Sequence, residues 1–475
     1  MKKRFLLVAV ALFLLVASGC VDLLAVPGIA LSSDGTQIYF LGGDFNMSSL
    51  GSSGSSDSSS IMNLMSANMG DGTSKIIVAG DDQTLISAFA TNPTNGDLAY
   101  MTTTKAGETS ITIMGADGSS RQLVSKEGFG GMASGTMMEY SPDGSKLALT
   151  GLLLPPDIAP LMLENDSSDL TPEQIAKIKN VAWLINVGDG SVKTISNPDT
   201  ERANTLTWSP SGNLIAYNAW VDSNDDGTIS TSGGISIPGA SAAAPTVGDA
   251  SEIHIYDVGS GSTTTIPSQN ISFAPEFFTD STIGFISFDS SALMGGGNVV
   301  ISTADVSGGQ PNTFYQTSNL VTGMRVSPDG SQVAWAEVVS GGGAGASSGQ
   351  MPPAQIFVSP TSSATPNQVA ELTGAFLVDV PVWSPDNKAL LISSTNIFST
   401  IIGSMSGMMS GLSTDTTASS TPTVTPQQVT RIDLDSGKTK VVYEGGMLNS
   451  GLFASVISLA GIQGLDSMMG ASGGN

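Results

Sequence analysis

One phrase recurs along this chain, and its recurrence limits the possible folds more than any other feature. Residues 140–151 read YSPDGSKLALTG, and close copies begin at Trp208 (WSPSGNLIAYNA), Val326 (VSPDGSQVAWAE) and Trp383 (WSPDNKALLISS). In Ser141-Pro142-Asp143-Gly144, Ser suits the first position of a type I turn, Pro the second, and Gly accepts the positive φ that follows. The flanks are apolar and β-prone, so the phrase reads as two antiparallel strands joined by a tight turn. Looser copies begin at Leu31 (LSSDGTQIYFLG), Thr91 (TNPTNGDLAYMT) and Phe273 (FAPEFFTDSTIGFIS). They count because they fall at intervals like those of the clear copies.

A second kind of hairpin follows each first one: an alternating strand, a small polar turn and another strand. These occupy 61–80, 110–125, 181–196, 252–267, 298–316, 355–372 and 429–445, and the two kinds interleave without a gap. Four antiparallel strands repeated seven times is the pattern of an all-β β-propeller. One such unit cannot bury both of its faces alone, whereas a closed ring lets each blade cover its neighbour. The copies predict seven four-stranded blades, with six or eight left open by the looser ones. Length alone would suggest about three domains for a chain of this size, and the repeat overrules that expectation.

The W-S-P-D-G-x-x-I-A-F hairpin followed by an I-Y-x-x-D-x-x-x-G strand and turn resembles the TolB-like, or WD-like, propeller repeat of bacterial envelope proteins. The resemblance runs from about Val26 to Gly446. It implies the fold and says little about activity, because propellers of this kind serve binding, scaffolding and, in some families, catalysis. No α-helical amino-terminal domain of the sort TolB carries is evident in the sequence, which speaks against TolB's own role.

The N-terminus bears on location. Lys2, Lys3 and Arg4 precede an apolar stretch from Phe5 to Ala17, which is shorter than the roughly 20 residues a membrane-spanning helix needs. This reads as an export signal over residues 1–19. The Ala17-Ser18-Gly19-Cys20 end resembles the lipobox of bacterial lipoproteins, which implies acylation of Cys20 and anchoring on the extracytoplasmic side of a membrane, in the periplasm or at the cell surface. The other reading is an ordinary signal peptide with an incidental Cys. Cys20 is the only cysteine in the chain, so a lipidated mature protein has no disulfide and relies on burial. The formal charge of the full sequence is −24, and losing the three basic residues of the signal makes it more negative. Such a surface repels phosphate backbones, which excludes nucleic acid as a partner. The propeller is expected over 20–446, and 447–475 forms a tail whose structure the sequence leaves undecided.

Long insertions separate first from second hairpins at 42–60, 152–180, 220–251, 339–353 and 395–426. In a meander these are all connections between second and third strands, so all five belong to one rim of the disc. That rim is the expected partner-facing one, although Gly/Ser-rich stretches such as MSSLGSSGSSDSSS also fit plain spacers. Two insertions carry more content. In LTPEQIAKIKN, Thr171 as N-cap, Pro172 and Gln174 form a capping-box start and predict one short helix. In DSNDDGTIS, Asp222, Asn224, Asp226 and the Thr228 carbonyl resemble the first part of a Ca²⁺ loop, with Gly227 at the sharp turn. The twelfth position, where a Glu belongs, is Gly233, so the choices are a weak Ca²⁺ site that stiffens the loop and a plain acidic turn. The 20 Met residues cluster in IMNLMSANM, GTMM, GSMSGMMSGL and DSMMG. Thioethers can bind Cu(I), but with no Cys or His beside them they read as adaptable packing residues.

Catalytic chemistry is sparse. The only His, His254, alternates with Ile253 and Ile255 on an expected third strand and reads as a packed blade position. A Ser-His-Asp triad would depend on it alone, and no G-x-S-x-G turn followed by an α/β domain is present. Multi-His metal sites cannot be assembled. No catalytic residue is assigned. The expected function is a non-catalytic, lipid-anchored envelope scaffold that binds a protein or glycan partner. The alternative is a carbohydrate-active enzyme using carboxylates near the propeller channel.

Overall fold

A computed structural model describes residues 28–42, 62–81, 83–104, 106–155, 158, 177–221, 250–267, 271–288, 297–338, 353–373, 377–395 and 427–445. These residues form seven antiparallel meander blades in a ring, each made of consecutive strands, so the predicted all-β propeller and its blade count are what the chain adopts. Blade 1 comprises β1 (Ile29–Leu31), β2 (Gln37–Gly42), β3 (Asn63–Asn68) and β4 (Ser74–Val78). Blade 2 comprises β5 (Thr84–Thr91), β6 (Leu98–Thr104), β7 (Thr109–Met114) and β8 (Ser120–Val124). A short helix, α1 (Lys126–Phe129), leads into blade 3, made of β9 (Met132–Tyr140), β10 (Lys146–Leu154), β11 (Lys179–Asn186) and β12 (Val192–Thr194). Blade 4 has β13 (Glu201–Trp208), β14 (Leu214–Val221), β15 (Ala250–Asp257) and β16 (Thr263–Ile266). Blade 5 has β17 (Ile271–Thr279), β18 (Thr282–Phe288), β19 (Val299–Asp305) and β20 (Asn312–Thr317). Blade 6 has β21 (Leu320–Val326), β22 (Gln332–Val338), β23 (Ala354–Pro360) and β24 (Asn367–Leu372). In blade 7 the first strand is split into β25 (Leu377–Val378) and β26 (Val382–Trp383), followed by β27 (Ala389–Thr395), β28 (Gln427–Asp433) and β29 (Thr439–Gly445).

The recurring turn explains itself chemically. The Ser141 hydroxyl donates to Asp143 Oδ1 at 2.6 Å, the Ser145 amide donates to the same oxygen at 3.0 Å, and the Lys146 amide donates to Ser141 Oγ at 3.0 Å. Gly144 sits at φ 71°. The set repeats at Ser327-Asp329 and, with Thr36 and Gln37, at Ser32-Asp34. Hydrogen bonds from Ser141 and Ser145 hold the Asp143 carboxyl down at about 2. Blade 5 departs from the phrase: Ala274-Pro275 lies inside β17, and the turn comes later, at Asp280-Ser281.

The aromatic that precedes Ser-Pro has a second task. Trp208 Nε1 donates to the Glu139 carbonyl at 3.1 Å, and Trp383 Nε1 donates to the Arg325 carbonyl at 2.8 Å. Each Trp thus fastens its blade to the inner strand of the preceding one. The inner strands β1, β5, β9, β13, β17, β21 and β26 touch neighbour to neighbour and close the ring around a central channel. Each of the seven blade junctions has its own apolar cluster, such as Ile29, Phe40, Leu391 and Tyr443 between blades 1 and 7. A fully buried side chain of this size contributes about 1.5–3 kcal/mol relative to exposure, so the junctions hold the ring together. At the seam between blades 7 and 1 neither blade borrows a strand; the junction closes by packing, with Lys440 Nζ donating to the Gly70 carbonyl at 3.5 Å. Methionines fill these junctions as expected: Met101 and Met138 between blades 2 and 3, and Met324 between blades 5 and 6.

Five inner strands shift register at the same level, between Ile86 and Ala88, Gly135 and Met137, Ala203 and Leu206, Phe273 and Glu276, and Val321 and Gly323. Blade 7 breaks its inner strand at that level. Bulges increase local twist and re-aim side chains, which lets wide strands bend around a narrow channel. The five long connections run from the ends of β2, β10, β14, β22 and β27 to the starts of β3, β11, β15, β23 and β28. All join second to third strands, with edges no more than three residues from those read in the sequence, so their ends share one rim. The opposite rim carries the tight hairpin turns.

Candidate functional site

Two polar sites stand out among the described residues, one in the channel and one at the junction of blades 3 and 4. In the channel, the residue two positions before the turn serine is Ala30 in blade 1, Glu139 in blade 3, Thr207 in blade 4, Arg325 in blade 6 and Val382 in blade 7. Glu276 on β17 joins this layer from blade 5. Arg325 Nη1 donates to Glu139 Oε1 at 3.1 Å and to Glu276 Oε2 at 3.2 Å. Blades 3, 5 and 6 are therefore tied across the lumen, close to the hairpin-turn rim. The Val326 amide donates to Glu276 Oε1 at 3.0 Å.

Two carboxylates sharing one guanidinium leave a surplus negative charge. Burial, opposed by Arg325 and reinforced by Glu276, pushes the Glu139 carboxyl up to about 7. Glu276 is also raised, by burial, with Arg325 pulling the other way. Protein crowds Glu139, but 28% of its side-chain surface still meets the lumen, so water tempers the push. Its Oε2 is enclosed and without a hydrogen-bond partner. Asp379, at the break in the inner strand of blade 7, is a second raised acid, pushed up to about 7 by burial and partly offset by Ser393.

The second site lies on one face of blade 4. Tyr217 on β14, His254 on β15 and Thr265 on β16 form a cross-strand row, and Glu201 at the start of β13 extends it. His254 Nδ1 lies 2.7 Å from Glu201 Oε2, and Nε2 lies 3.1 Å from Glu252 Oε2. The first contact is the shorter of the two and acts as an ion pair. Glu201 Oε1 accepts from the Asn197 amide at 2.6 Å and from the Tyr217 hydroxyl at 3.0 Å. Burial lowers the imidazole pKa, but Glu201 and Glu252 more than offset it and raise it to about 9. Burial raises the Glu201 carboxyl, and its hydrogen bonds and His254 bring it below its ordinary value. His254 is thus an imidazolium with both nitrogens taken by carboxylates, and neither is free to accept a proton. Beside it opens a groove of about 310 Å³, lined by Asn197, Glu201, Tyr217, His254, Thr263 and Thr265 among others.

His254 is on the third strand and 8% exposed, as the alternation predicts. Glu252 lies two residues away on the same face of β15, as strand alternation places it, whereas Glu201 comes from a position that sequence spacing does not connect. The channel cluster also escaped the sequence reading, although a signal existed: Glu139 and Arg325 are charged residues two positions before the turn serine, where blades 1, 4 and 7 have Ala, Thr and Val. Cys20, the Asp222, Asn224, Asp226 and Thr228 loop, the Thr171 helix start, the Met groups beyond residue 400 and the 447–475 tail lie outside the described residues. Among the described residues, no three His, Cys, Asp or Glu side chains are grouped to hold a metal ion, and no helix is long and apolar enough to cross a membrane.

No protein-family model and no curated protein matches this chain. Solved structures do match. An acylaminoacyl peptidase in complex with Z-Gly-Gly-Phe-chloromethyl ketone has a TM-score of 0.51 at 11% identity, over 90% of this chain and 54% of that one. The uncomplexed Pyrococcus horikoshii acylaminoacyl peptidase has 0.50 at 11%, over 88% and 52%. A putative TolB from Agrobacterium tumefaciens has 0.39 at 14%, over 66% and 91%. At 11% identity the likeness to the two peptidase structures shows a shared fold and nothing about activity. This chain spans about half the length of the two peptidase chains.

Proposed function

We propose that the protein is a non-catalytic scaffold, lipid-anchored through Cys20 on the outer side of a bacterial membrane, that binds a protein or glycan partner through its insertion rim. The observation that carries this reading is the asymmetry of the two rims. One is built from short hairpin turns, while all five long connections leave from the other. Variable connections on a rigid scaffold are where binding residues concentrate. The export signal, the lipobox and the resemblance to envelope propellers support the location.

Two features of the site support a non-catalytic role. The ring nitrogens of His254 are both engaged by glutamates, which removes the one residue a triad could use. The channel carboxylates Glu139 and Glu276 converge on a single Arg325 nitrogen, so the guanidinium occupies the place where a glycosidic bond would have to lie. One observation favours the carbohydrate-active alternative: Glu139, held near 7, has the protonation a general acid needs.

The test is affinity capture from envelope extract with the soluble chain starting after Cys20, beside a version with 220–251 and 395–426 shortened, both read by mass spectrometry. A partner retained by the first and lost by the second is the expected result. The same partners with both, or none with either, would remove the insertion rim as the binding face and turn attention to the channel acids.

A further inference from the structure

The groove at the junction of blades 3 and 4 has the chemistry of a ligand site in its own right. Its volume of about 310 Å³ falls at the small end of ligand pockets, roughly 300–1,000 Å³, which suits one sugar-sized ring rather than an extended cofactor. Its floor is rigid: Glu201, Tyr217 and His254 are 5%, 1% and 8% exposed and bonded to one another. Its rim is different. Thr263, Thr265 and Asn197 are exposed, and all are uncharged. Hydroxyls both donate and accept, and the Asn197 amide adds two donors. Ile195 supplies an apolar wall.

We propose that this groove is a subsite for one neutral hexopyranose unit of a glycan. The proposal rests on the glycan arm of the scaffold reading and names the part of the surface that would serve it. A pyranose presents hydroxyls that donate and accept at its edge and C–H groups on its faces, which matches a hydroxyl-and-amide rim beside an isoleucine. The charge sets the selectivity. Glu201 lines the groove and Glu252 contacts its histidine from outside the lining, so two carboxylates surround one imidazole, in a chain whose formal charge is −24. A uronate, sialate or sugar phosphate would meet that charge, whereas a neutral sugar would not. No aromatic platform is available, because Tyr217 is buried and packs edge-on against His254 at 69°. Binding therefore relies on rim hydrogen bonds, so removing them should abolish it. The groove adjoins the insertion rim: Glu201 pairs with Val221, the last described residue before the blade 4 insertion.

Saturation-transfer NMR on the soluble chain tests this, with methyl glucoside and N-acetylglucosamine as neutral probes and galacturonate and glucose 6-phosphate as anionic ones. The variants are Thr265→Val and Asn197→Ala, on the exposed rim, where unchanged thermal unfolding reports an intact fold. His254 is the only histidine, so its ring signals report occupancy of this groove and no other. A neutral sugar is expected to give transfer and shift the His254 signals, anionic sugars to give neither, and the double variant to lose both at least fivefold. No transfer from any probe overturns the proposal, as does transfer that leaves His254 unmoved or survives in the double variant. Equal binding of anionic sugars overturns the charge argument. If envelope capture succeeds while every sugar fails, the subsite falls and the scaffold reading stands.

Discussion

Replacing Arg325 by Gln tests whether the transverse ion cluster holds the channel together. Its two partners come from blades 3 and 5, and Glu276 is 7% exposed. Removing one member of a buried ion pair typically costs about 3–5 kcal/mol, because the remaining charge is left uncompensated. The loss should depend on pH. Glu139 has a folded pKa of about 7 against an ordinary 4.5, so the native state holds this proton longer than the unfolded chain. For a raised acid, stability is greatest below the unfolded value and falls as pH climbs through the window between the two. At pH 8 the substitution strands two carboxylates, and the full loss is expected. At pH 5 Glu139 is already neutral and Glu276, also raised by burial, is closer to neutral than at pH 8, so less charge is stranded and the loss should be smaller. Urea unfolding followed by tryptophan fluorescence at both pH values reads the difference. Glu139→Gln is the control: it removes the surplus charge, so it should raise the midpoint at pH 8 and leave it unchanged at pH 5. A loss for Arg325→Gln that is equal at the two pH values, or below about 1 kcal/mol at pH 8, would refute the reasoning.

The imidazole of His254 should titrate near 9 by NMR and move toward the ordinary 6.5 in Glu252→Gln. Because the folded value is raised, its stabilisation is complete below about 6.5 and lost as pH rises through 9, so thermal unfolding should weaken over that window in the wild type and less in His254→Gln. Gly190 sits at φ 72°, and a Cβ there would lie 2.1 Å from the Leu123 carbonyl oxygen; Gly190→Ala should therefore destabilise by about 1–3 kcal/mol in urea. Trp383→Phe removes the donor to the Arg325 carbonyl and should lose about 1–2 kcal/mol. A double-mutant cycle with Arg325→Gln should be non-additive, because both act on the same inner strand.

The architecture was legible in the sequence because its determinants are local. Ser141, Pro142, Asp143 and Gly144 build a turn from their own hydrogen bonds, and alternation on either side sets which face is buried. Once such a hairpin recurs, the meander follows, and with it the rim that carries the long connections. Even the blade 5 copy, whose Ala274-Pro275 proved to be a bulge, fell in the right place because the strands around it pair regardless. The second role of Trp208 and Trp383, reaching the preceding inner strand, could be seen only once blades were neighbours.

The charged sites belong to the tertiary structure. Arg325 and Glu139 are far apart in the chain and meet because a ring brings the inner strands of blades 3 and 6 across one lumen. Glu201 and His254 meet because β13, β14 and β15 lie side by side. Hydrogen bonds between near neighbours leave a trace in sequence spacing, whereas ion pairs closed across a ring leave none. The sequence by itself therefore determined the blades and the asymmetry of their rims. Only the closed ring decided which carboxylates share a cation, and only the pairing of strands within blade 4 brought Glu201 to the one histidine.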